Sequence, residues 1–265
     1  MLIVGELINS TRKAIAAAIE AGDKVSIQQI AKDQANAGAR YIDVNAGSFQ
    51  DHEIEYLTWL VQTVQEAVEL PCCLDSPNPA ALEAALKVHE GIPMINSISL
   101  EKERCEKLLP VVAANDFKVV ALCMSDEGMP RTADDRIRIA EELVNLLLEH
   151  KVKLENIYVD PLVQPVATDQ TFGREFLKSV EQIMSRFSGI HTICGLSNVS
   201  YGLPQRKFLN RTFMAMAIAK GLDAAILDPL DKQMMANVLA AEVLVGRDNF
   251  CMNFINAHKE RKIVC

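Results

Sequence analysis

Short apolar runs alternate with longer amphipathic stretches along the whole chain. The runs are 2-LIVGE-6, 41-YIDVN-45, 71-PCCLD-75, 93-PMIN-96, 118-KVVALCM-124, 157-IYVD-160, 191-HTICG-195 and 223-DAAILD-228. Each is short and rich in β-branched or small apolar residues, the pattern of a strand buried on both faces. Between them the apolar positions recur at helical spacing, as in Leu57, Leu60, Val61, Val64 and Val68, or Phe176, Val180, Ile183 and Phe187. Asn78 is placed to cap a helix with Pro79 at its first position, and Gly38, Gly189 and Gly221 fall near helix ends or turns. Eight strand–helix units predict a closed parallel (β/α)8 TIM barrel, an α/β fold. An open doubly wound sheet is the rival, but no Gly-x-Gly-x-x-Gly turn is present and no linker divides the chain. The expected organisation is one domain over residues 1–265, with 7–24 as an N-terminal cover and the first barrel helix beginning near Val25.

Composition narrows the function. With 49% hydrophobic and 23% charged residues the chain is globular, and at 265 residues one large barrel accounts for nearly all of it. A net charge of −8 without any basic run argues against nucleic acid. The start of the chain reads as a buried strand rather than a signal peptide, and no apolar window is long enough for a membrane span. The seven cysteines include no Cys-x-x-Cys and lie mostly in apolar runs, which predicts a reduced, cytoplasmic protein without a disulfide framework or an intrinsic metal.

In such a barrel the active site lies at the carboxyl ends of the strands. Those ends carry Glu6 and Asn9, Asp43 and Asn45, Asp75, Asn96, Met124, Asp160, Asn198 and Asp228. No lysine is offered for a Schiff base, and the only strand histidine, His191, is at the opposite end. Asp228-Pro229-Leu230-Asp231 would repel a phosphate. Carboxylates accept and carboxamides both donate and accept, so the ring suits a neutral ligand with N–H donors and carbonyl acceptors, such as an aminopyrimidinone. Asp43, Asn45, Ser76 and Asp228 suit helix capping equally well. Phe213, Met216 and Ala217 are expected in the core, and Trp59 in the core or a dimer surface.

Segments 1-MLIVGELIN-9, 74-LDSPN-78, 94-MINS-97, 158-YVDPL-162, 195-GLSNVS-200 and 209-LNRTF-213, in order and over essentially the whole chain, resemble the methyltetrahydrofolate:corrinoid (iron-sulfur) protein methyltransferases. These also resemble the folate module of cobalamin-dependent methionine synthase and, more remotely, dihydropteroate synthase. The resemblance implies a pterin-binding barrel, homodimeric, that exchanges a methyl group between N5 of 5-methyltetrahydrofolate (or tetrahydrofolate) and the cobalt of cobalamin carried by a partner corrinoid protein. It implies that Asp75, Asn96 and Asp160 hold the pterin edge, that Gly195 and Ser197 line the pocket, and that Asn198 is the catalytic group at N5. Tyr201 departs from the polar amide expected on the tail side. Arg206, Lys207 and Arg211 are placed either to meet a folate glutamate or to form a solvated helix start. Two other readings are a dihydropteroate synthase-like condensation, whose Lys and Arg-x-His are replaced here by Asn198 and Asp228-Pro229-Leu230, and a non-catalytic pterin-binding partner of a corrinoid protein.

Overall fold

The computed structural model describes residues 1–263. Its strands are β1 (Leu2–Asn9), β2 (Tyr41–Asn45), β3 (Cys72–Asp75), β4 (Met94–Leu100), β5 (Lys118–Ser125), β6 (Ile157–Asp160), β7 (His191–Thr192) and β8 (Ala224–Leu227). Helices α1 (Lys13–Glu20), α2 (Lys24–Asn36), α3 (Glu53–Gln65), α4 (Pro79–Leu86) and α5 (Lys102–Ala113) serve the first half. Helices α6 (Ala133–Glu149), α7 (Phe172–Arg186), α8 (Arg206–Ala219), α9 (Lys232–Leu244) and α10 (Met252–Lys259) serve the second. The ladders are parallel, and the strands run in the order β7-β6-β5-β4-β3-β2-β1-β8. The eight-unit barrel is therefore the observed fold.

Three strands depart from the sequence expectation, β4 by running on to Leu100 past register shifts between Asn96 and Ile98 and between Ile98 and Leu100. The 191–195 run pairs with β6 only over His191 and Thr192, because the chain then turns its bonding toward β8: the Ile226 N–H donates to the Cys194 carbonyl at 2.9 Å, and Gly195 bridges Ile226. That contact closes the barrel. β1 runs on to Asn9, past a register shift between Gly5 and Ile8. At the shift the Leu7 N–H leaves the ladder and donates instead to Oε1 of the fully buried Gln34 on α2, at 3.0 Å. Gly5 lies under the same side chain, and a Cβ there would collide with Gln34 Oε1. Gly5→Ala is accordingly expected to lower stability by about 1–3 kcal/mol, by overpacking and by stripping Leu7 of its acceptor; a chemical-denaturation midpoint equal to wild type would contradict it.

Asn78 caps α4 as the sequence predicts, accepting from the Ala80 N–H at 3.0 Å, with Pro79 in the first turn. Leu57, Leu60, Val61 and Val64 are fully buried on α3, and the half-buried Trp59 packs against the same core. Met216 is a correction. Phe213, Met214, Ala217 and Ile218 form the buried face of α8, while Met216 lies with Phe208 and Thr212 on the opposite face and is 50% exposed.

Inside the barrel, Val4, Tyr41, Cys73, Met94, Val120, Tyr158, Ile193 and Ala224 form an apolar plug, one residue from each strand unit. Strand side chains alternate between faces, so the next inward positions lie two residues further on. They are Glu6, Asp43, Asp75, Asn96, Leu122, Asp160, Gly195 and Ile226. The change from an apolar plug to a polar layer places the site at the carboxyl end.

Candidate active site at the carboxyl ends of the strands

The first half of the polar layer is built on β2, β3 and β4. Asn45 is in register with Asp75, and Asp75 with Asn96. The Asn45 amide donates to Asp75 Oδ2 at 2.9 Å and to the Asp75 carbonyl at 3.2 Å. Its oxygen accepts from the Ser10 hydroxyl and the Gly47 N–H, both at 3.0 Å, so Asn45 is committed to the protein and presents Asp75 rather than binding for itself. Burial raises the pKa of the Asp75 carboxyl, while the Asn45 hydrogen bond and the Arg104 cation oppose the shift. Deeper in the barrel, Asp43 is fully enclosed and its Oδ1 has no partner. Burial, reinforced by the Asp75 charge, pushes its carboxyl well above the usual range, against the lowering effect of hydrogen bonds from Cys73 and Asn96. It is an interior residue and caps no helix.

The loops that follow are tied down. Arg104 on α5 donates to the Ser97 carbonyl at 2.7 Å and to the Ser76 carbonyl at 3.4 Å. The Ser76 hydroxyl donates to the buried Glu53 at 2.6 Å. These contacts hold the backbone just beyond Asp75 and Asn96.

Across the barrel, Asp160 is 8% exposed and accepts the Leu162 N–H at 2.8 Å. Leu162 adopts the left-handed conformation, which folds the backbone back over the carboxyl group. The fully buried Arg136 holds that turn, donating to the carbonyls of Pro161 at 2.7 Å, Thr132 at 3.0 Å and Leu162 at 3.4 Å. Burial pushes the Asp160 carboxyl up to about 7, against the lowering effects of the Leu162 N–H, Arg136 and the Gly195 N–H.

After β7 the chain makes a 3₁₀ turn, Leu196–Ser200, whose Leu196, Val199 and Ser200 are buried. Ser197 is half-buried and Asn198 is exposed at the rim of the barrel. A Cβ on Gly195 would lie 3.4 Å from Asn198 Nδ2, so the carboxamide lies over this glycine. At the β1 and β8 ends, burial raises the Glu6 carboxyl while Arg12 opposes it, and Asp228 accepts the Leu230 N–H in a local turn. Of the three basic residues, Arg206 is bonded to Ser197 and Ser200, and Arg211 to Asp231 at 2.7 and 2.9 Å and to Gln233. Lys207 is exposed, and Tyr201 is 67% exposed beside Arg206.

The geometry thus brings Asp75 and Asn96 together on adjacent strands, with Asp160 in the same layer and Gly195, Ser197 and Asn198 on one turn above it. Two kinds of participant escape the sequence reading. Asp43 reads equally as cap or site, Arg206 as a folate-glutamate contact or a solvated helix start, and Arg104 and Arg136 as ordinary helix charges. Arg136 does leave a signal, because it falls on the apolar stripe of α6 with Ala133, Ile137, Ala140 and Val144. Among the described residues no group of His, Cys, Asp and Glu is arranged to hold a metal ion, and the cysteines are free; Cys265 lies outside them.

The family model described as pterin binding enzyme matches residues 5–228. The chain belongs to the pterin-binding enzyme family. Within it, the chain is 35% identical over 265 residues to a protein of Eubacterium limosum named methylcorrinoid:tetrahydrofolate methyltransferase, covering 99% of this chain and 98% of that one. It is 32% identical over 239 residues to the methionine synthase of Mycobacterium tuberculosis, covering 85% of this chain but only 20% of that far longer protein. A dihydropteroate synthase of Coxiella burnetii, solved with pteroic acid, shares the fold at a TM-score of 0.74 over 92% of this chain and 93% of the other, at 15% identity. The pterin-binding family expected from the six sequence segments is therefore the family found.

Proposed function

We propose that this pterin-binding enzyme is a methyltransferase that exchanges a methyl group between N5 of 5-methyltetrahydrofolate, or tetrahydrofolate, and the cobalt of a corrinoid carried by a separate protein. The end-to-end match to the Eubacterium limosum protein carries this reading. The polar layer fits a pterin on its own chemistry. Asp75 and Asp160, once ionised, accept from the ring N–H and exocyclic amine, and Asn96 meets the carbonyl or a ring nitrogen. The orphaned Oδ1 of Asp43 is a further polar atom, buried beneath this layer without a partner. The corrinoid supplies a cobalt nucleophile whose electron pair forms the new bond to the methyl carbon, while the pair of the broken C–N bond returns to N5.

A tertiary amine is a poor leaving group, so N5 must be assisted as it gains electron density. Asn198 does this by donating a hydrogen bond from its carboxamide, which does not itself release a proton near neutral pH. Its exposure suits the chemistry, because the nucleophile arrives on another protein and the proton from solvent. The test is direct: mixing the enzyme with 5-methyltetrahydrofolate and a cobalt(I) corrinoid is expected to replace the cobalt(I) absorbance by that of methylcobalt(III). Tight folate binding without a spectral change would instead favour a non-catalytic binding partner.

We read residues 1–265 as one domain, working in the cytoplasm as its free thiols favour, and no helix among the described residues is long and apolar enough to cross a membrane. A second copy of the chain is the partner we assign to the outer face of α8 and α9. There Phe208 (74% exposed) lines a groove of about 350 Å³ with Thr212 and Ala236, and Met216 on α8 and Leu244 at the end of α9 (85% exposed) are further exposed apolar side chains. Phe208→Glu combined with Met216→Glu is expected to convert a dimer to a monomer in sedimentation velocity, and an unchanged sedimentation coefficient would move the interface elsewhere.

A further inference from the structure

Two groups outside the turn that carries Asn198 hold it: the Val166 N–H, which donates to the Val199 carbonyl at 3.0 Å, and one guanidinium. Arg206, the first residue of α8, donates from Nη2 to the Ser197 carbonyl at 2.7 Å and from Nε to the Ser200 hydroxyl at 3.1 Å. These acceptors bracket Asn198: the first belongs to the peptide leading into it, the second to the residue two positions beyond. The Ser200 hydroxyl also reaches the Ser197 carbonyl, at 3.4 Å, so both groups converge on that one oxygen. The Asn198 N–H meets the Gly195 carbonyl only at 3.4 Å, and the Asn198 carbonyl accepts from Tyr201 at 3.1 Å.

Nothing in α8 itself calls for a cation at this place. A positive charge in the first turn works against the helix dipole, and the N-cap, Gln205, is left-handed and makes no side-chain cap. The planar fork of arginine, by contrast, fixes two acceptors at a set separation, which a lysine cannot do. The guanidinium also lies 5.8 Å from the centre of the Tyr201 ring, next along the same loop.

We infer that Arg206 is a positioning residue for Asn198: it clamps the Ser197–Ser200 backbone so that the carboxamide stands at N5, and its donors serve this turn rather than a folate glutamate. The inference rests on the role proposed above for Asn198. A small displacement of a group that must meet one atom in the transition state is costly even when binding is kept.

The experiment compares wild type, Arg206→Gln, Arg206→Lys, Asn198→Ala and the Asn198→Ala/Arg206→Gln double variant. Each is assayed with a cobalt(I) corrinoid and either 5-methyltetrahydrofolate or a 5-methyltetrahydropterin lacking the aminobenzoyl-glutamate tail. Arg206→Gln is expected to lower kcat about tenfold with both donors and to leave KM within about twofold, with partial recovery in Arg206→Lys. In the Asn198→Ala background Arg206→Gln is expected to cost nothing more, because its effect passes through Asn198. Amide hydrogen exchange over residues 196–201 is expected to quicken in Arg206→Gln. A loss confined to KM for the tailed donor would assign Arg206 to the tail and overturn the inference, as would multiplicative losses in the double variant or unchanged exchange. If Asn198→Ala alone left kcat intact, the catalytic reading would fall and this role with it, while the exchange data would still report separately whether Arg206 holds the turn.

Discussion

Asn198→Ala is expected to lower kcat about 10²–10³-fold while the affinity for 5-methyltetrahydrofolate changes by less than about fivefold, the pattern of a donor used mainly in the transition state. Asn198 is at the rim, on a turn whose inner side is anchored by the buried Leu196, Val199 and Ser200, so its side chain can be removed without opening the core. Single-turnover absorbance of the corrinoid gives the rate, and calorimetric titration gives the affinity. An equal fall in both would mean that the carboxamide binds the ground state as strongly as the transition state, and the electrophilic role would be lost.

The second large effect is at Asp160, where binding and stability are expected to move in opposite directions. Folding raises its carboxyl from 3.8 to about 7, chiefly by burial. Between those pH values the folded state keeps a proton that the unfolded state has released, so this group makes the free enzyme less stable as pH rises through that window. Asp160→Asn removes the cost while retaining an acceptor for the Leu162 N–H. At pH 8 the ligand-free variant is expected to be more stable by about 1–3 kcal/mol, seen as a higher Tm, and the gain is expected to vanish toward pH 4. Folate affinity is expected to fall about 10²-fold, because an amide places donors where a carboxylate accepted from ring N–H groups. In the wild type, affinity is expected to weaken as pH falls below about 7, by up to tenfold per unit, and this dependence is expected to flatten in the variant. Wild-type affinity in Asp160→Asn would remove Asp160 from the pterin edge.

The alternating units, the (β/α)8 closure and the polar strand ends were legible in the sequence because two periods coexist in it. Period two puts Tyr41, Asp43 and Asn45 on one face of β2, and the helical period marks α3 and α7. Other features leave weaker traces. Gln34 looks like its neighbours, the half-buried Gln28 and the exposed Gln29, so its place under the β1 bulge depends on tertiary packing alone. The 191–195 run has the same composition whether it bonds one neighbour or changes partner midway. The second half of α8, residues 213–219, is apolar on every side, and only the surrounding elements decide that Met214 is inside and Met216 outside. The arginine clamps are hardest to read, since a guanidinium that grips a loop carbonyl and one in solvent have the same sequence signature.

The closing seam has a consequence for what happens when the barrel opens. Among the described residues a single bridge, with the bonds from His191 and Thr192 to the Asp223 carboxylate, joins the chain around β7 to β8, whereas β1 and β2 pair along nearly their whole length, so β7–β8 is where a partially opened molecule is expected to part first. Parting there bares the edges of β7, with two residues, and β8, with four. Edges this short are poor templates for adding a strand from another molecule. The weakest join in the barrel is thus also the one whose rupture offers least to aggregation.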